Sequence, residues 1–141
     1  MIKIVLDTNV FVTTLISRRG ASFKLLSLIE TGKFKLCLSV PLVLEYEDAA
    51  GRLLGDKIQL SKEELGNTID YLCSVAIHQK IFYLWRPMLK DPRDELVLEL
   101  AANAKAEFII SYNERDFQGA ERFGIKVLGS KAFLEFLGVL P

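Results

Sequence analysis

The chain has 141 residues, half of them hydrophobic, with 18 basic against 18 acidic side chains, one His and two Cys. That length suits one domain with a full core, residues 1–141, folding without a disulfide framework. No apolar run approaches the roughly 20 residues that span a bilayer, and no basic-then-apolar leader opens the chain. The expectation is a soluble, cytoplasmic protein with no membrane partner, and balanced charge excludes a global basic field for a polyanion, leaving any nucleic-acid contact to a local patch.

Met1 to Leu6 is a short apolar run rich in β-branched residues, the pattern of a strand buried on both faces of a parallel sheet. It stops at Asp7-Thr8-Asn9, and an apolar helical pattern resumes at Val10, so Asp7 stands where strand gives way to helix. In an open α/β sheet that carboxyl edge is where ligands bind. An ionised Asp beside a core must be hydrogen-bonded, paired or bound to a metal. A helix cap and a catalytic or metal-binding role are both open for Asp7 at this point.

Ser17 to Gly20 is a polar break. Ser22 is the expected cap of a second helix, whose stripe of Phe23, Leu25, Leu26, Leu28 and Ile29 closes at Thr31-Gly32. Lys33 to Leu38 reads as a second strand. Ser39-Val40-Pro41 opens a third helix, with Pro in the first turn where its missing N–H is tolerated; it carries Leu42 to Asp48 and is expected to end near Leu54-Gly55. Ser61-Lys62-Glu63-Glu64 has the capping-box pattern, predicting a fourth helix to about Ala76 with Leu65, Ile69, Leu72 and Cys73 inward.

Ile81 to Trp85 reads as a strand or edge segment. Asp91-Pro92 then marks a turn into a periodic helix through Leu96, Leu98, Leu100, Ala101 and Ala104. Phe108-Ile109-Ile110-Ser111 is another apolar strand, ending in a hydroxyl and followed by a helix that includes Asp116. Ile125 to Leu128 is the last strand, and Ser130 is the expected cap of a final helix through Phe133, Phe136 and Leu137. Cys37 and Cys73 have no companions for a zinc site and read as buried thiols, and the lone His78 as a satisfied or exposed residue. The alternation of elements predicts an α/β fold of three layers, with a central parallel sheet of about five strands covered on both faces.

The acids fall in a pattern. Asp7, the Asp91/Asp94/Glu95 cluster and Asp116 stand at strand ends or on the turns that follow, and Glu45 lies one turn into the third helix. Each alone has an ordinary explanation: Glu45, Glu47 and Asp48 as a solvated helix face, Asp91, Asp94 and Asp116 as turn or cap residues. Placed together at one edge of a parallel sheet, they share a reason. Convergent carboxylates repel and shift toward protonation unless a cation sits among them, and a set of hard oxygen donors suits Mg²⁺ or Mn²⁺. The chemistry implied is phosphodiester hydrolysis by metal-activated water, which needs no His.

With these residues, the sequence resembles the PIN-domain family of metal-dependent ribonucleases, in particular the branch of toxins from type II toxin-antitoxin pairs. Ile4-Val5-Leu6-Asp7-Thr8-Asn9-Val10 matches that family's first strand, Leu44-Glu45-Tyr46 its second acidic position, Asp91-Pro92-Arg93-Asp94 its third, and Phe108 to Ser111 with Asn113 and Asp116-Phe117 its last. The resemblance spans nearly the whole chain. It implies that Asp7, Glu45 and Asp94 hold the ion and activate water, with Asp116 completing the set. Asn9 resembles a residue that steadies the first Asp, and Ser111 one that faces the site. Many relatives carry an acid where this chain has Asn113, which favours one ion over two. The resemblance also implies an RNA substrate, a cognate antitoxin that covers or enters the cleft, and a homodimer.

RNA would approach along basic neighbours, drawn from Arg18, Arg19, Lys24, Arg52, Arg86, Lys90 and Arg93, with Tyr46, Trp85 and Tyr112 as stacking surfaces. A rival reading keeps the fold as an RNA- or protein-binding module with little catalysis. Haloacid-dehalogenase-like phosphatases need an Asp where Asn9 stands, receiver domains place their acids differently, and no Gly-rich phosphate loop followed by Lys-Ser or Lys-Thr occurs.

Overall fold

The computed structural model describes residues 1–81, 89 and 91–140. Five strands, β1 (Lys3–Leu6), β2 (Lys35–Leu38), β3 (Ile77–His78), β4 (Phe108–Ile110) and β5 (Lys126–Leu128), form one sheet in the order β3-β2-β1-β4-β5. Every pairing is parallel. Six helices accompany them: α1 (Thr8–Ile16), α2 (Ala21–Ser27), α3 (Val40–Gly51), α4 (Lys62–Val75), α5 (Pro92–Ala104) and α6 (Ser130–Phe136). Parallel neighbours need crossovers, and the right-handed rule places α1 to α4 on one face and α5 on the other. Accordingly α5 packs on β1, β2 and β4, while α1 packs on α2 and α3.

β1 lies at the centre, flanked by two strands as apolar as itself. Ile4, Val5 and Leu6 are fully buried, as are Ile109 and Ile110 of β4 and Leu36 and Cys37 of β2. The register then decides the geometry of the carboxyl edge: Leu6 is level with Ile110, so the residues that follow, Asp7 and Ser111, emerge side by side. The strand order reverses at β1, and the crevice beyond its carboxyl end is the switch point where α/β sheets bind ligands.

The capping box predicted for α4 is present. The Glu64 N–H donates to Ser61 Oγ (3.0 Å) and the Ser61 N–H to Glu64 Oε1 (2.9 Å). Leu65, Ile69 and Leu72 of that helix are buried and Cys73 half-buried; both cysteines are free thiols. Ser39 caps α3 through the Leu42 N–H, with Pro41 in the first turn.

Several local expectations are corrected. Ser22 and Ser130 cap nothing: Gly20 and Gly129 enter α2 and α6 in extended conformations and occupy the cap positions. The two hydroxyls are instead buried inside the fold, where Ser22 Oγ bonds Ser130 Oγ (2.8 Å) and the Tyr112 hydroxyl. A polar contact between three distant elements thus displaces a local capping role. α3 stops at Gly51, short of the expected Leu54-Gly55. No α-helix follows β4; two 3-10 turns, Glu114–Phe117 and Ala120–Phe123, bounded by left-handed Gly119 and Gly124, replace it. β3 is the unanticipated pair Ile77–His78, and of the strand expected at Ile81 to Trp85 only Ile81 is described, outside any strand. His78 is exposed, its ring nitrogen bonding the Cys73 carbonyl at 2.6 Å. Among the described residues no helix is long and apolar enough to cross a membrane.

Candidate active site

Asp7 is both a helix cap and a buried site residue. It leaves β1 in extended conformation, its Oδ1 accepting the Thr8 N–H at 2.8 Å and its main-chain carbonyl accepting the first α1 amide, from Val10, at 3.0 Å. Its second oxygen, Oδ2, accepts the Ser111 hydroxyl at 2.6 Å. Only 6% of the residue is exposed. Burial raises its pKa above the usual carboxylate value; the Ser111 and Thr8 donors pull it down, and Asp116 and Asp91 push it up again.

Ser111 is aimed by its surroundings. Its N–H extends the sheet to the Leu128 carbonyl (2.9 Å), and its Oγ accepts the Asn113 N–H (3.0 Å), which leaves the hydroxyl proton for Asp7. Asn9 makes no described bond to Asp7. Its Oδ1 and the Thr8 Oγ1 are buried without a hydrogen-bond partner among the described residues.

Glu45 is brought to the edge by α3. Burial raises its pKa, Arg93 lowers it, and Asp48 raises it. The next residue, Tyr46, was expected as a stacking surface for bases, but it is 1% exposed and unavailable for that role. Its ring stacks on Phe11 at a 4.5 Å centroid distance and its hydroxyl donates to the Leu6 carbonyl. Glu47 and Asp48 are exposed, and Asp48 pairs with Arg52 at 2.9 Å.

Asp91 caps α5, accepting the Arg93 N–H at 2.9 Å and the Arg93 guanidinium at 3.0 Å, and these bonds hold its pKa below the usual value. Glu95 turns inward and accepts the Leu89 N–H. Asp94 points to the cleft. Burial, then the charges of Asp7, Asp116 and Asp91, push its pKa up to about 7, with Arg93 opposing. Asp116 lies in the first 3-10 turn after β4, exposed, its N–H on the Asn113 carbonyl (3.0 Å).

Asp7, Asn9, Glu45, Arg93, Asp94, Asn113 and Asp116 all line one open cleft of ≈ 660 Å³. Ser111 stands behind it, holding Asp7. Of the expected basic neighbours, Arg52 and Arg93 line the cleft, whereas Arg18 lines a separate apolar groove with Phe23 and Leu60. Trp85, Arg86 and Lys90 lie outside the described residues. Tyr112 remains exposed. Among the polar cleft residues, three were not anticipated from the sequence: Thr8, readable only as a spacer between Asp7 and Asn9, Thr13, one turn further along α1, and Lys57, in a stretch without periodicity.

The order of these acids along a parallel sheet agrees with a family comparison, in which the PIN-domain model matches residues 3–115. The chain belongs to the PIN-domain family. The match includes Asp7, Glu45 and Asp94 and ends one residue before Asp116. No curated protein matches the chain. PIN domains are generally nucleases, and typically use divalent metal ions.

The donors of this PIN domain fit such an ion by chemistry. All are hard oxygens, burial and then acidic neighbours raise the Asp94 pKa to about 7, and the Asn9 Oδ1 and Thr8 Oγ1 at the cleft are buried without partners among the described residues. Among the described residues no group of three or more His, Cys, Asp or Glu side chains is already arranged to enclose one.

Proposed function

We propose that this PIN domain is a Mg²⁺- or Mn²⁺-dependent endoribonuclease acting as the toxin of a toxin-antitoxin pair. The observation that carries the reading is the convergence of Asp7, Glu45, Asp94 and Asp116, from β1, α3, α5 and the turn after β4, on one cleft, where burial first and the neighbouring acids second lift Asp94 to about 7. Acids grouped at this cost in an open cleft, with neither Asp94 nor Asp7 in an ion pair among the described residues, suit a site that receives a cation.

Asp7, Glu45 and Asp94 would hold the ion, with Asp116 completing the set and Asn9 and Asn113 as neutral oxygen donors. A bound Mg²⁺ or Mn²⁺ supplies Lewis acidity toward water and a phosphodiester. Ser111 fixes Asp7 and draws its pKa down by donating to Oδ2, against the burial that raises it. A bound cation would favour the carboxylate form of Asp94 and Glu45, opposing the burial and the acidic neighbours that raise their pKa values. Arg93, held by Asp91 at the cleft, would face the phosphate backbone, and exposed Tyr112 would offer a face for a base. The toxin assignment rests on the sequence resemblance. It brings with it a cognate antitoxin that occludes the cleft, and a homodimer, for which the exposed Val40 and Leu44 on one face of α3 provide apolar surface.

A second reading, a binding module with little catalysis, is favoured by the neutral Asn113 in the position where an acid would add charge. The two separate by experiment. End-labelled structured and single-stranded RNAs are incubated with Mg²⁺, Mn²⁺ or chelator, using wild type, Asp7→Asn and Asp94→Asn purified identically. Metal-dependent cutting that both substitutions abolish is expected. RNA binding without cutting by any of the three proteins would favour the binding module.

A further inference from the structure

Three described cations line the acidic cleft, and they differ in their commitments. Arg52 Nη2 is 2.9 Å from Asp48 and Arg93 Nη2 is 3.0 Å from Asp91. Lys57 has no carboxylate within ion-pair distance among the described residues. Its ammonium therefore needs to break no existing pair to accept an anion, and it carries three donors.

The backbone beneath it is built rather than loose. After α3 the chain turns back on itself: the Asp56 and Ile58 amides both donate to the Leu53 carbonyl (3.1 and 3.0 Å), and the Gly55 amide donates to the Ile58 carbonyl (3.0 Å). Gly55 takes φ +79°, a left-handed conformation that side chains resist. Ile58 is fully buried in the core, and Leu54 and Ile58 form a β-bridge. The Gln59 side-chain amide closes the turn on the Asp56 carbonyl at 2.7 Å. Lys57 is thus the residue immediately before a core anchor, on a turn locked by four hydrogen bonds, at the rim of the cleft that holds Asp7, Glu45 and Asp94.

We infer that Lys57 is a phosphate-binding residue for single-stranded RNA, holding a backbone phosphate at the cleft rim and drawing the strand past the turn after α3 toward the acids. The inference deepens the ribonuclease reading and rests on it. A cation is required there in any such enzyme, because the cleft's own carboxylates repel the phosphate that must approach them. A fixed turn supplies it at less entropic cost than a free loop.

The test compares wild type with Lys57→Gln and Lys57→Arg, and with Lys33→Gln, a lysine at the amino-terminal edge of the sheet that controls for loss of one charge. Binding of a fluorescein-labelled single-stranded RNA oligonucleotide is read by anisotropy over a KCl series, the otherwise wild-type reference and each lysine variant all being made in the Asp94→Asn background so that the RNA stays intact. Cleavage is followed in parallel without that substitution. Lys57→Gln is expected to weaken binding roughly threefold at moderate salt and to lower the log-log salt slope by about 0.7, the contribution of one contact to single-stranded nucleic acid. Lys57→Arg restores both, and Lys33→Gln changes neither. Equal affinities and slopes for Lys57→Gln and wild type would overturn the inference while leaving the nuclease intact if the parallel cleavage is still metal-dependent. Absence of RNA binding by every protein would overturn it as well, and absence of cleavage beside it would remove the reading beneath. Thermal melts of the variants exclude misfolding, which exposed Lys57 makes improbable.

Discussion

The Tyr46 hydroxyl donates to the main-chain carbonyl of Leu6, forty residues away in sequence, and so ties the residue after Glu45 to the residue before Asp7. One buried bond thus links α3 and β1 next to two cleft carboxylates. The stacked contact of the Tyr46 ring with Phe11 of α1 holds the same joint from the apolar side.

Tyr46→Phe keeps the ring and removes the bond. Urea denaturation is expected to show a loss of about 1 kcal/mol, the usual net value of a buried hydrogen bond, whereas Tyr46→Ala should cost about 3–5 kcal/mol by opening a cavity. If the bond also spaces the acids, Tyr46→Phe weakens Mg²⁺ binding measured by calorimetry, an effect that a uniform loss of stability would not produce. Unchanged metal affinity would reduce Tyr46 to a packing residue.

Ser111→Ala removes the donor to Asp7 Oδ2 and leaves the Asn113 amide without its acceptor. Because that donor lowers the Asp7 pKa, its loss raises it further. The expected result is a cleavage rate reduced by about tenfold near neutrality, equivalent to about 1.4 kcal/mol, with the rising limb of the pH-rate profile moved to higher pH. Ser111→Thr retains the hydroxyl and should restore most of the rate. A uniform loss across all pH values would show that Ser111 supports packing alone.

Stability without metal should depend on pH in a direction opposite to that of paired carboxylates. Asp94 titrates near 7 in the folded chain and at 3.8 ordinarily, and Asp7 is raised as well. Between those values the folded chain holds protons that the unfolded chain has released, so stability is greatest below the lower value and declines as pH rises through about 7. The lowered pKa of Asp91 acts only below the ordinary carboxylate value, and its group is exposed. Melting temperatures of the chelated protein should therefore fall from about pH 5 to about pH 8, and Asp94→Asn should flatten the decline. A wild-type profile that rises over that interval would contradict the raised carboxyls.

Mg²⁺ or Mn²⁺ should reverse that loss. At free ion a hundredfold above the dissociation constant, mass action stabilises the folded chain by about 2.7 kcal/mol, and the gain should grow with pH because binding displaces the Asp94 proton. Differential scanning fluorimetry at about pH 8 checks it. Glu45→Gln and Asp94→Asn should lose most of the shift, and Glu121→Gln, on a remote 3-10 turn, none of it.

Much of this was legible in local pattern. A two-sided buried strand reads as a continuous apolar run, so β1 and β4 announced themselves, β2 showing instead as basic and apolar residues in alternation, and the first polar residue after each run had to lie at the sheet's edge. Asp7 and Ser111 were readable for that reason. Asp94 was readable because a proline marks the first turn of α5. Hydroxyl residues before apolar stripes were poorer guides: Ser39 and Ser61 cap, whereas Ser22 and Ser130 do not. Nothing local distinguishes a serine that will meet its own helix amide from one that will meet a serine 108 residues away.

By itself, then, the amino-acid sequence determined the class of fold, most of its elements, the strand end that carries Asp7 and the helices that carry Glu45 and Asp94, because burial and chain stiffness act over a few neighbouring residues. Only the tertiary structure decided that β1 would be level with β4 and pair Asp7 with Ser111, that Tyr46 would be spent on the Leu6 carbonyl, and that Lys57 would stand at the cleft in no ion pair among the described residues. Those outcomes depend on register and on which distant groups satisfy one another, and a buried polar atom takes its partner from space rather than from sequence.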